Sequence, residues 1–489
     1  MTDAATLKDR KWLALALLAA AQFVVVLDAS IVNVALPSIG RDLDFAQDNL
    51  SWVVNAYTLF FGGFLLLGGR LADLLGRRRM FITGLIVFAL ASLAGGLAQS
   101  DLWLIIARAV QGLGAALLSP AALSIITRTF AEGAERNKAL GVWGGVAGSG
   151  GAAGVLLGGV LTDALSWEWV LYVNVPIGLI VAALAPVLLA ESRNDEAHRS
   201  FDLAGAFTVT AGLSILVYAL VDAESAGWGS TQTIGLLALA AVLLAAFLAI
   251  ESRTPKPLMP FSIFRLRTLR GANVAGLLIG ISLFSMFFFI SLYMQQVLGY
   301  EPLKAGLAYL PLSVTIIVSA GVASQLVTRI GFKPPLVAGM LFVAAGTFWF
   351  SKVSPGGTYV GDVLFPSLLA AVGLGFAFVT STIAAVTGVR PDEAGLASGL
   401  INTTQQVGGA LGLAITATVA TATTNDVFAS GERSQAIALT EGFQDAFLVS
   451  AGIALLGALL AALMISSKDS REHAEAARAE GAEPVPIAG

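Results

Sequence analysis

Residues 69–78 read GRLADLLGRR, and residues 324–333 read SQLVTRIGFK. When Gly76 is aligned with Gly331, leucine and basic residues also coincide, and the same offset maps the first long apolar stretch of the chain onto the ninth. The chain therefore contains two similar halves that run in the same orientation. Internal duplication of this kind is typical of transporters, in which two bundles can rock about a central site.

The composition indicates an integral membrane protein. Hydrophobic residues make up 56% of the 489 positions and charged residues only 12%, with a mean hydropathy of +0.82. Soluble proteins draw about a quarter of their residues from Asp, Glu, Lys and Arg. Cysteine is absent, which excludes disulfides and thiolate metal sites. Both histidines fall in polar segments, so we expect no metal site in the membrane and no enzyme activity.

Fourteen apolar segments are long enough to cross a bilayer core of about 30 Å, which takes about 20 helical residues. The predicted spans cover residues 13–36, 50–69, 80–98, 102–126, 139–161, 170–189, 203–221, 234–250, 272–293, 305–327, 335–351, 361–389, 395–420 and 445–465. The predicted fold class is therefore all-α integral membrane, with two pseudo-symmetric six-helix bundles and two helices inserted between them.

The spans also predict how the chain is divided. We expect residues 1–190 to form the N-terminal six-helix bundle and residues 272–465 to form the C-terminal one. Residues 191–271 are predicted to be a linker that carries the two extra helices and an amphipathic cytoplasmic segment. Residues 466–489 are predicted to be a polar cytoplasmic tail.

Basic residues predict the orientation. If both termini are cytoplasmic, only Arg41, Lys304, Lys352 and Arg433 of the 28 lysines and arginines lie in outer loops, and Arg108 lies within a span. Because basic residues resist translocation, this bias places both termini in the cytoplasm. The abundance of alanine and glycine is typical of a GC-rich bacterium, so the predicted location is the bacterial inner (plasma) membrane, which the chain crosses many times.

Two charged residues lie deep inside predicted spans, Asp28 in the first and Arg108 in the fourth. The directions of the two spans place them at nearly the same depth, where they can pair. Burial favours a neutral acid, whereas a nearby guanidinium favours the carboxylate, so a small geometric change can shift the protonation of Asp28. We therefore predict that this pair couples transport to protons. A permanent structural ion pair between the two helices is the alternative.

Further polar and aromatic residues in the spans are candidates for a substrate cavity, although each could equally make a hydrogen bond between helices. They are Asn33, Trp52, Asn55, Tyr57, Gln111, Asn273, Tyr293, Gln295, Gln296, Asn402, Gln405 and Gln406. Small residues in the fifth span allow helices to approach closely. They are Gly141, Gly145, Gly150, Gly154 and Gly158. No G-x-x-x-x-G-K-[ST] loop occurs, so the chain has no ATPase of its own.

At these positions the sequence resembles the major facilitator superfamily, and specifically its fourteen-helix drug:proton antiporter branch. The resemblance rests on residues 27–37 (LDASIVNVALP), 69–78, 108–116 (RAVQGLGAA) and 398–412 (SGLINTTQQVGGALG). It implies a role for Arg108 in proton coupling and a conformational latch between the second and third helices. The latch residues are Gly69, Arg70, Asp73, Gly76, Arg77 and Arg78. Val155 stands where these antiporters carry proline, so no proline kink is expected there.

The sequence thus predicts a proton-coupled exporter of lipophilic drugs, antibiotics or secreted metabolites that works by alternating access. A proton symporter or uniporter for a small nutrient is the alternative, but it would carry more polar groups in its spans. A non-transporting membrane sensor or scaffold is the alternative from another class. The expected partners are a small lipophilic substrate and the lipid bilayer, with no nucleic acid. We expect a monomer with the proton as coupling ion and no other cofactor.

Overall fold

A computed structural model describes residues 2–45, 50, 52–192, 202–254, 257, 259–390 and 393–482. Within these ranges the long helices are α1 Thr2–Asp42, α2 Trp52–Leu75, α3 Arg77–Gly96, α4 Asp101–Thr129, α5 Ala134–Ala164, α6 Trp169–Leu188, α7 Leu203–Ala226, α8 Thr231–Glu251, α9 Arg267–Leu292, α10 Leu310–Ile330, α11 Lys333–Phe350, α12 Phe365–Val386, α13 Ala394–Ala429, α14 Gln435–Met464 and α15 Ser467–Ala482. Shorter helical segments are Phe261–Arg265, Tyr293–Val297, Pro302–Ala308 and Tyr359–Leu364.

The helices confirm an all-helical membrane fold. Among the described residues, twelve helices are long and apolar enough to cross a bilayer, and α5 adds a thirteenth when the two parts on either side of its 42° bend count as one span. The remaining predicted span corresponds to α7, whose apolar part, Ala204–Leu220, is shorter than the others. The total of fourteen spans therefore stays a prediction.

The two halves pack their helices in the same way. In the first half α1 packs on α5 and α6, α2 packs on α4, and α3 packs on α4 and α6. In the second half α9 packs on α13 and α14, α10 packs on α12, and α11 packs on α12 and α14. These are the same pairs displaced by eight helices, so the repeat seen in the sequence is also a repeat of structure.

The halves meet along two seams, α2 against α13 and α5 against α10, which the repeat relates to each other. Both ends of the described chain lie at one side of the bundle, because Lys11 pairs with Glu135 at the start of α5 and His473 contacts Asn137 two residues later. We call this side the terminal side. The end of α10 lies there because Thr328 contacts Asn137. The α2–α3 connection lies there because Arg78 bonds to the carbonyl of Leu189 at the end of α6, where Arg10 of α1 bonds to the carbonyl of Val187.

The two inserted helices attach to the first seam. α7 packs on both α2 and α13, and α8 packs mainly on α7. At the end of α2 remote from the terminal side, the indole of Trp52 stacks on the ring of Tyr218 from α7, with centroids 5.4 Å apart. Nearby, Nε1 of Trp228 donates to Oγ1 of Thr418 on α13 at 2.6 Å. The insertion thus covers the seam between the halves from the outside.

The segment after α14 is not only a polar tail. Residues Ser467–Ala482 form the helix α15, and residues 483–489 lie outside the described residues. One face of α15 is buried against the terminal side of the bundle. That face consists of Ser470, His473, Ala474 and Ala477. Their spacing of three and four residues is that of a single helix face, so α15 is docked onto the bundle.

Candidate functional site

A buried ion pair joins α1 and α4. Nη1 of Arg108 lies 2.5 Å from Oδ2 of Asp28, and neither side chain is exposed at all. The adjacent Gly112 lets α4 approach α2, because a Cβ there would collide with the backbone of Tyr57. The structure therefore brings together the two charged residues that the sequence placed deep in the membrane.

Three side chains donate to the Asp28 carboxylate. Arg108 occupies Oδ2, and Oδ1 accepts hydrogen bonds from Nε2 of Gln111 at 2.8 Å and from Nδ2 of Asn174 at 2.7 Å. Both amides also donate to Oγ of Ser92 at 3.1 Å. An ionised carboxylate accepts hydrogen bonds only, and both oxygens of Asp28 are thus occupied by donors from α4 and α6.

The guanidinium of Arg108 is held on its other edges as well. Nε donates to the carbonyl of Val53 at 2.9 Å, Nη1 also donates to Oε1 of Gln111 at 2.7 Å, and Cζ lies 4.4 Å from the centre of the Tyr57 ring. Nη2 of Arg108 and Oδ1 of Asn174 are buried and have no hydrogen-bond partner among the described residues. A free donor and a free acceptor beside one carboxylate can bind water or a polar group of a ligand.

A second buried ion pair lies at the terminal side of α2. Nη2 of Arg77 is 2.5 Å from Oδ1 of Asp73, and its Nε donates to Oγ of Ser124 at 2.6 Å. The Asp73 carboxylate also accepts from the backbone nitrogens of Gly395 at 3.2 Å and Leu396 at 3.0 Å. These amides open α13, where the helix dipole favours a negative charge. Asp73 therefore ties the first half to the second.

The other predicted latch residues surround this pair. Gly69 packs against Gly395, since a Cβ on Gly69 would lie 2.5 Å from the Gly395 carbonyl oxygen. Arg78 donates its backbone N–H to Oε1 of Glu191 at 3.2 Å. Arg70 turns away from the pair, and its Nη2 lies 3.5 Å from a backbone carbonyl in the connection between α8 and α9. Gly76 forms the turn between α2 and α3 with a φ of 111°.

The predicted cavity residues do not form one group of contacts. Tyr57 and Gln111 belong to the ion-pair cluster described above. On the facing half, Oδ1 of Asn273 accepts from Oγ1 of Thr404 at 3.3 Å, and the neighbouring Gln405 is buried, with its Nε2 unpartnered among the described residues. The half-buried members of the set are Asn55, Asn402 and Gln406.

Five other members of that set lie elsewhere or are already bonded. Trp52 anchors α7, and the hydroxyl of Tyr293 donates to the carbonyl of Ser354 at 2.8 Å. Asn33, Gln295 and Gln296 are exposed. A role in a substrate cavity stays a prediction for all five. The structure gives a local packing role only to Trp52 and Tyr293.

The glycines of α5 lie at its contacts with two different helices, α10 and α1. Gly141 and Gly145 face α10 of the other half, where a Cβ on Gly141 would lie 2.7 Å from Cβ of Ser324. Towards the other end of α5 the neighbour changes to α1. The glycines that face α1 are Gly150, Gly154 and Gly158. The bend of α5 lies between Gly151 and Ala153, so glycine, rather than the missing proline at Val155, is the local cause of the kink.

Sequence reasoning missed several partners of the two ion pairs. Asn174 and Ser92 complete the Asp28 cluster, and Ser124 and Glu191 bond to Arg77 and Arg78 of the predicted latch. Asn174 is a polar residue within a predicted span, and that signal could have singled it out. Serines in membrane helices usually bond to their own backbone, so Ser92 and Ser124 carried no such signal.

Comparison with known proteins identifies the family of the chain. Residues 18–413 match the sequence model of the Major Facilitator Superfamily. The chain is 41% identical to the puromycin resistance protein of Streptomyces alboniger over 465 residues, which cover 94% of this chain and 92% of that protein. It is 43% identical to the cephamycin export protein of Amycolatopsis lactamdurans, with 94% of each chain covered.

The fold is also that of solved transporters. The chain superposes on a proton:xylose symporter of the major facilitator superfamily with a TM-score of 0.66, covering 96% of this chain and 99% of the other at 15% sequence identity. At that identity the likeness concerns the fold alone. The similarity to the two resistance and export proteins is the one that bears on activity.

Proposed function

Because this chain belongs to the Major Facilitator Superfamily, and within it to the transporters that export drugs and metabolites, we propose that it is an antiporter that expels small lipophilic molecules in exchange for protons. Puromycin, cephamycin and related antibiotics are the first cargo to test, since similar proteins resist or export them. Such transporters are not enzymes and need no cofactor. The coupling ion in this proposal is the proton.

The observation that carries the proposal is the burial of Asp28 beside Arg108. Its carboxylate is wholly buried and faces a single guanidinium. If Asp28 takes up a proton, Arg108 becomes a buried charge without a counterion, a situation that costs about 3–5 kcal/mol in proteins. The cluster must then rearrange, and α1 and α4 carry its two charged members. Protonation and a movement of helices in the first half are thereby linked.

The ion pair reaches the region between the halves through its neighbours. Tyr57 and Val53, which contact Arg108, lie on α2, and α2 forms the seam with α13. In the alternating-access cycle that we propose, the proton binds the Asp28 carboxylate, and polar groups of the cargo bind the free polar atoms beside it, Nη2 of Arg108 and Oδ1 of Asn174. The half-buried residues Asn55, Asn402 and Gln406 would line the rest of the path.

The architecture in this proposal has fourteen spans, with α7 as a full span alongside α8. The terminal side is then cytoplasmic, in agreement with the excess of basic residues there, and the membrane is the bacterial inner membrane. Residues 1–190 and 272–465 act as two moving bundles, and Asp73 with Arg77 latches them on the cytoplasmic side. The active unit is a monomer in the lipid bilayer, without nucleic acid.

The test uses inside-out vesicles energised to an acidic interior, with a fluorescent pH probe in the lumen. We expect puromycin to release protons from vesicles that contain the wild-type protein. With Asp28→Asn the release should fall to the level of empty vesicles, because the amide cannot exchange a proton. Asp163→Asn, which alters an exposed acid at the far end of α5, is the matched control and should behave as wild type.

Other results would separate the alternatives. Proton release that persists in Asp28→Asn would leave antiport in place and give Asp28 a structural role. Drug flux without proton movement in the wild type would contradict antiport. Uptake of a sugar or another polar nutrient in the absence of drug flux would favour the symporter.

A further inference from the structure

The second half lacks the charged latch of the first. With Gly76 aligned on Gly331, the position of Asp73 is occupied by Thr328 and that of Arg77 by Phe332. Neither can form an ion pair. The seam between α5 and α10 is nevertheless closed on the terminal side, which implies that other groups hold it.

Asn137, near the start of α5, occupies the centre of that contact. Its Nδ2 donates to Oγ1 of Thr328 at 3.1 Å, its carbonyl accepts from Oγ of Ser324 at 2.7 Å, and its Oδ1 lies 3.1 Å from Nε2 of His473. Because an amide oxygen only accepts hydrogen bonds, His473 is the donor. Asn137 is completely buried and His473 is 6% exposed. One side chain of the first half is thus bonded to both α10 and α15 of the second.

The helix α15 is fixed to the second half by several bonds. Oγ of Ser470 accepts from the backbone nitrogen of Lys333 at 3.0 Å, and Oδ2 of Asp469 accepts from Oγ1 of Thr268 at 2.5 Å. The imidazole of His473 packs on the ring of Phe332 with centroids 5.6 Å apart. α15 therefore moves with α9, α10 and α11, whereas Asn137 moves with the first half.

We propose that α15 acts as a clasp, by which we mean that it holds α5 and α10 together on the terminal side. In this clasp, His473 and Thr328 both bond to the side chain of Asn137, and these bonds take the place of the ion pair that the second half lacks. Asn137 and His473 are positioning residues in this proposal, since they set the balance between closed and open states without touching cargo. The proposal rests on the proposed alternating-access function. If α5 and α10 separate on the terminal side, the three bonds to Asn137 break together.

The experiment measures the conformation directly, so that it does not depend on finding the cargo. The chain has no cysteine, and Ala131 and Gln325 are exposed residues on opposite sides of the seam at the terminal side. Spin labels on Ala131→Cys and Gln325→Cys would report their separation by pulsed electron resonance in lipid nanodiscs. Asn137→Ala should raise the ratio of open to closed molecules about tenfold, because truncation leaves buried partners unsatisfied.

A set of variants makes the result specific. His473→Ala should open the seam in the same direction, and His473→Gln should restore part of the closure because its amide can still donate to Asn137. Glu472→Gln, on the exposed side of α15, should leave the distances unchanged. Removal of residues 467–489 should match or exceed Asn137→Ala.

Unchanged distances in both Asn137→Ala and the truncated protein would overturn the clasp. Equal opening by Glu472→Gln would also contradict it, since the effect would then not depend on the buried face. Failure of the antiport assay would leave these distances unaffected. The clasp and the proton coupling can therefore fail separately.

Discussion

The two connections on the terminal side begin from the same turn and close their seams by different chemistry. Gly76 and Gly331 occupy corresponding positions, with φ values of 111° and 81°. After this shared turn, the first half uses a buried ion pair, Asp73 with Arg77, to hold the start of α13. The second half uses neutral groups, and its contact with the start of α5 is completed by a helix from the end of the chain.

The first N–H groups of α3 and α11 are also bonded at equivalent places by different groups. In the first half the segment after α6 supplies acceptors, because Arg78 donates its N–H to Glu191 and Arg77 donates its N–H to the carbonyl of Ser192 at 3.1 Å. In the second half the segment after α14 does so through Ser470, which accepts from Lys333. α15 therefore occupies the place that the linker occupies in the first half. The two halves thus place acceptors at equivalent positions, but the residues that supply them differ.

The difference predicts that substitutions at the equivalent positions 73 and 328 will destabilise the protein by different amounts. Asp73→Ala breaks the buried ion pair with Arg77 and should lower the free energy of unfolding by about 3–5 kcal/mol. Thr328→Ala removes one neutral acceptor and should cost about 1 kcal/mol. Thermal unfolding of the two variants in one detergent measures both. Similar losses would show that the two positions stabilise the protein equally, which would contradict this comparison.

Substitution of the two turn glycines by alanine should have different structural consequences in the two halves. Alanine at Gly76 or at Gly331 forces a side chain into a positive-φ conformation and should cost about 1–2 kcal/mol in each case. At Gly76 the new Cβ meets only the end of the Glu191 side chain, whereas at Gly331 it collides with the backbone of Ser470. Gly331→Ala should therefore also displace α15.

Limited proteolysis within α15 measures that displacement. We expect faster cleavage in Gly331→Ala than in Gly76→Ala. Gly452→Ala, at a helical glycine with open space around it, serves as the control for an added methyl group. Equal protection of α15 in all three variants would show that the helix does not depend on the close approach at Gly331.

The sequence was informative where the membrane makes a residue costly. Asp28 and Arg108 stood out because charges are rare in apolar spans, and the structure pairs them. The repeat was visible because glycine and basic positions kept their spacing. Hydropathy marks where a helix is apolar, not where it ends, so α13 runs nine residues beyond its predicted limit of 420 and α14 begins ten residues before 445.

The docking of α15 could not be foreseen in the same way. Ser470, His473, Ala474 and Ala477 are small or polar, and no apolar stripe separates them from an ordinary solvated tail. Their burial depends on a surface made by α5, α10 and α11, which is distant in sequence. Asn174 could be singled out as a polar residue in a span, but its place beside Asp28, and that of Ser92 beside both amides, could not be foreseen. Which helices pair is a tertiary property that the pattern of one span does not contain.

The smallest expected effect is a dependence of the clasp on pH. Burial lowers the pKa of His473 from its ordinary value of 6.5, with Arg136 acting in the same direction and Glu132 opposing it. An unclasped, solvated His473 would titrate near 6.5 and would bind a proton that the clasped form refuses. The closed state is therefore fully favoured above about pH 6.5 and loses stability as the pH falls from there towards the lowered pKa.

The spin-label pair described above would detect this shift. In the wild type, the open fraction should rise modestly between pH 8 and pH 5, by less than the change that Asn137→Ala produces at pH 8. In His473→Gln this part of the pH dependence should vanish, while any contribution from Asp28 or from surface acids persists. An identical pH profile in the two proteins would mean that α15 closes the seam without sensing protons, and would leave the clasp to hydrogen bonding alone.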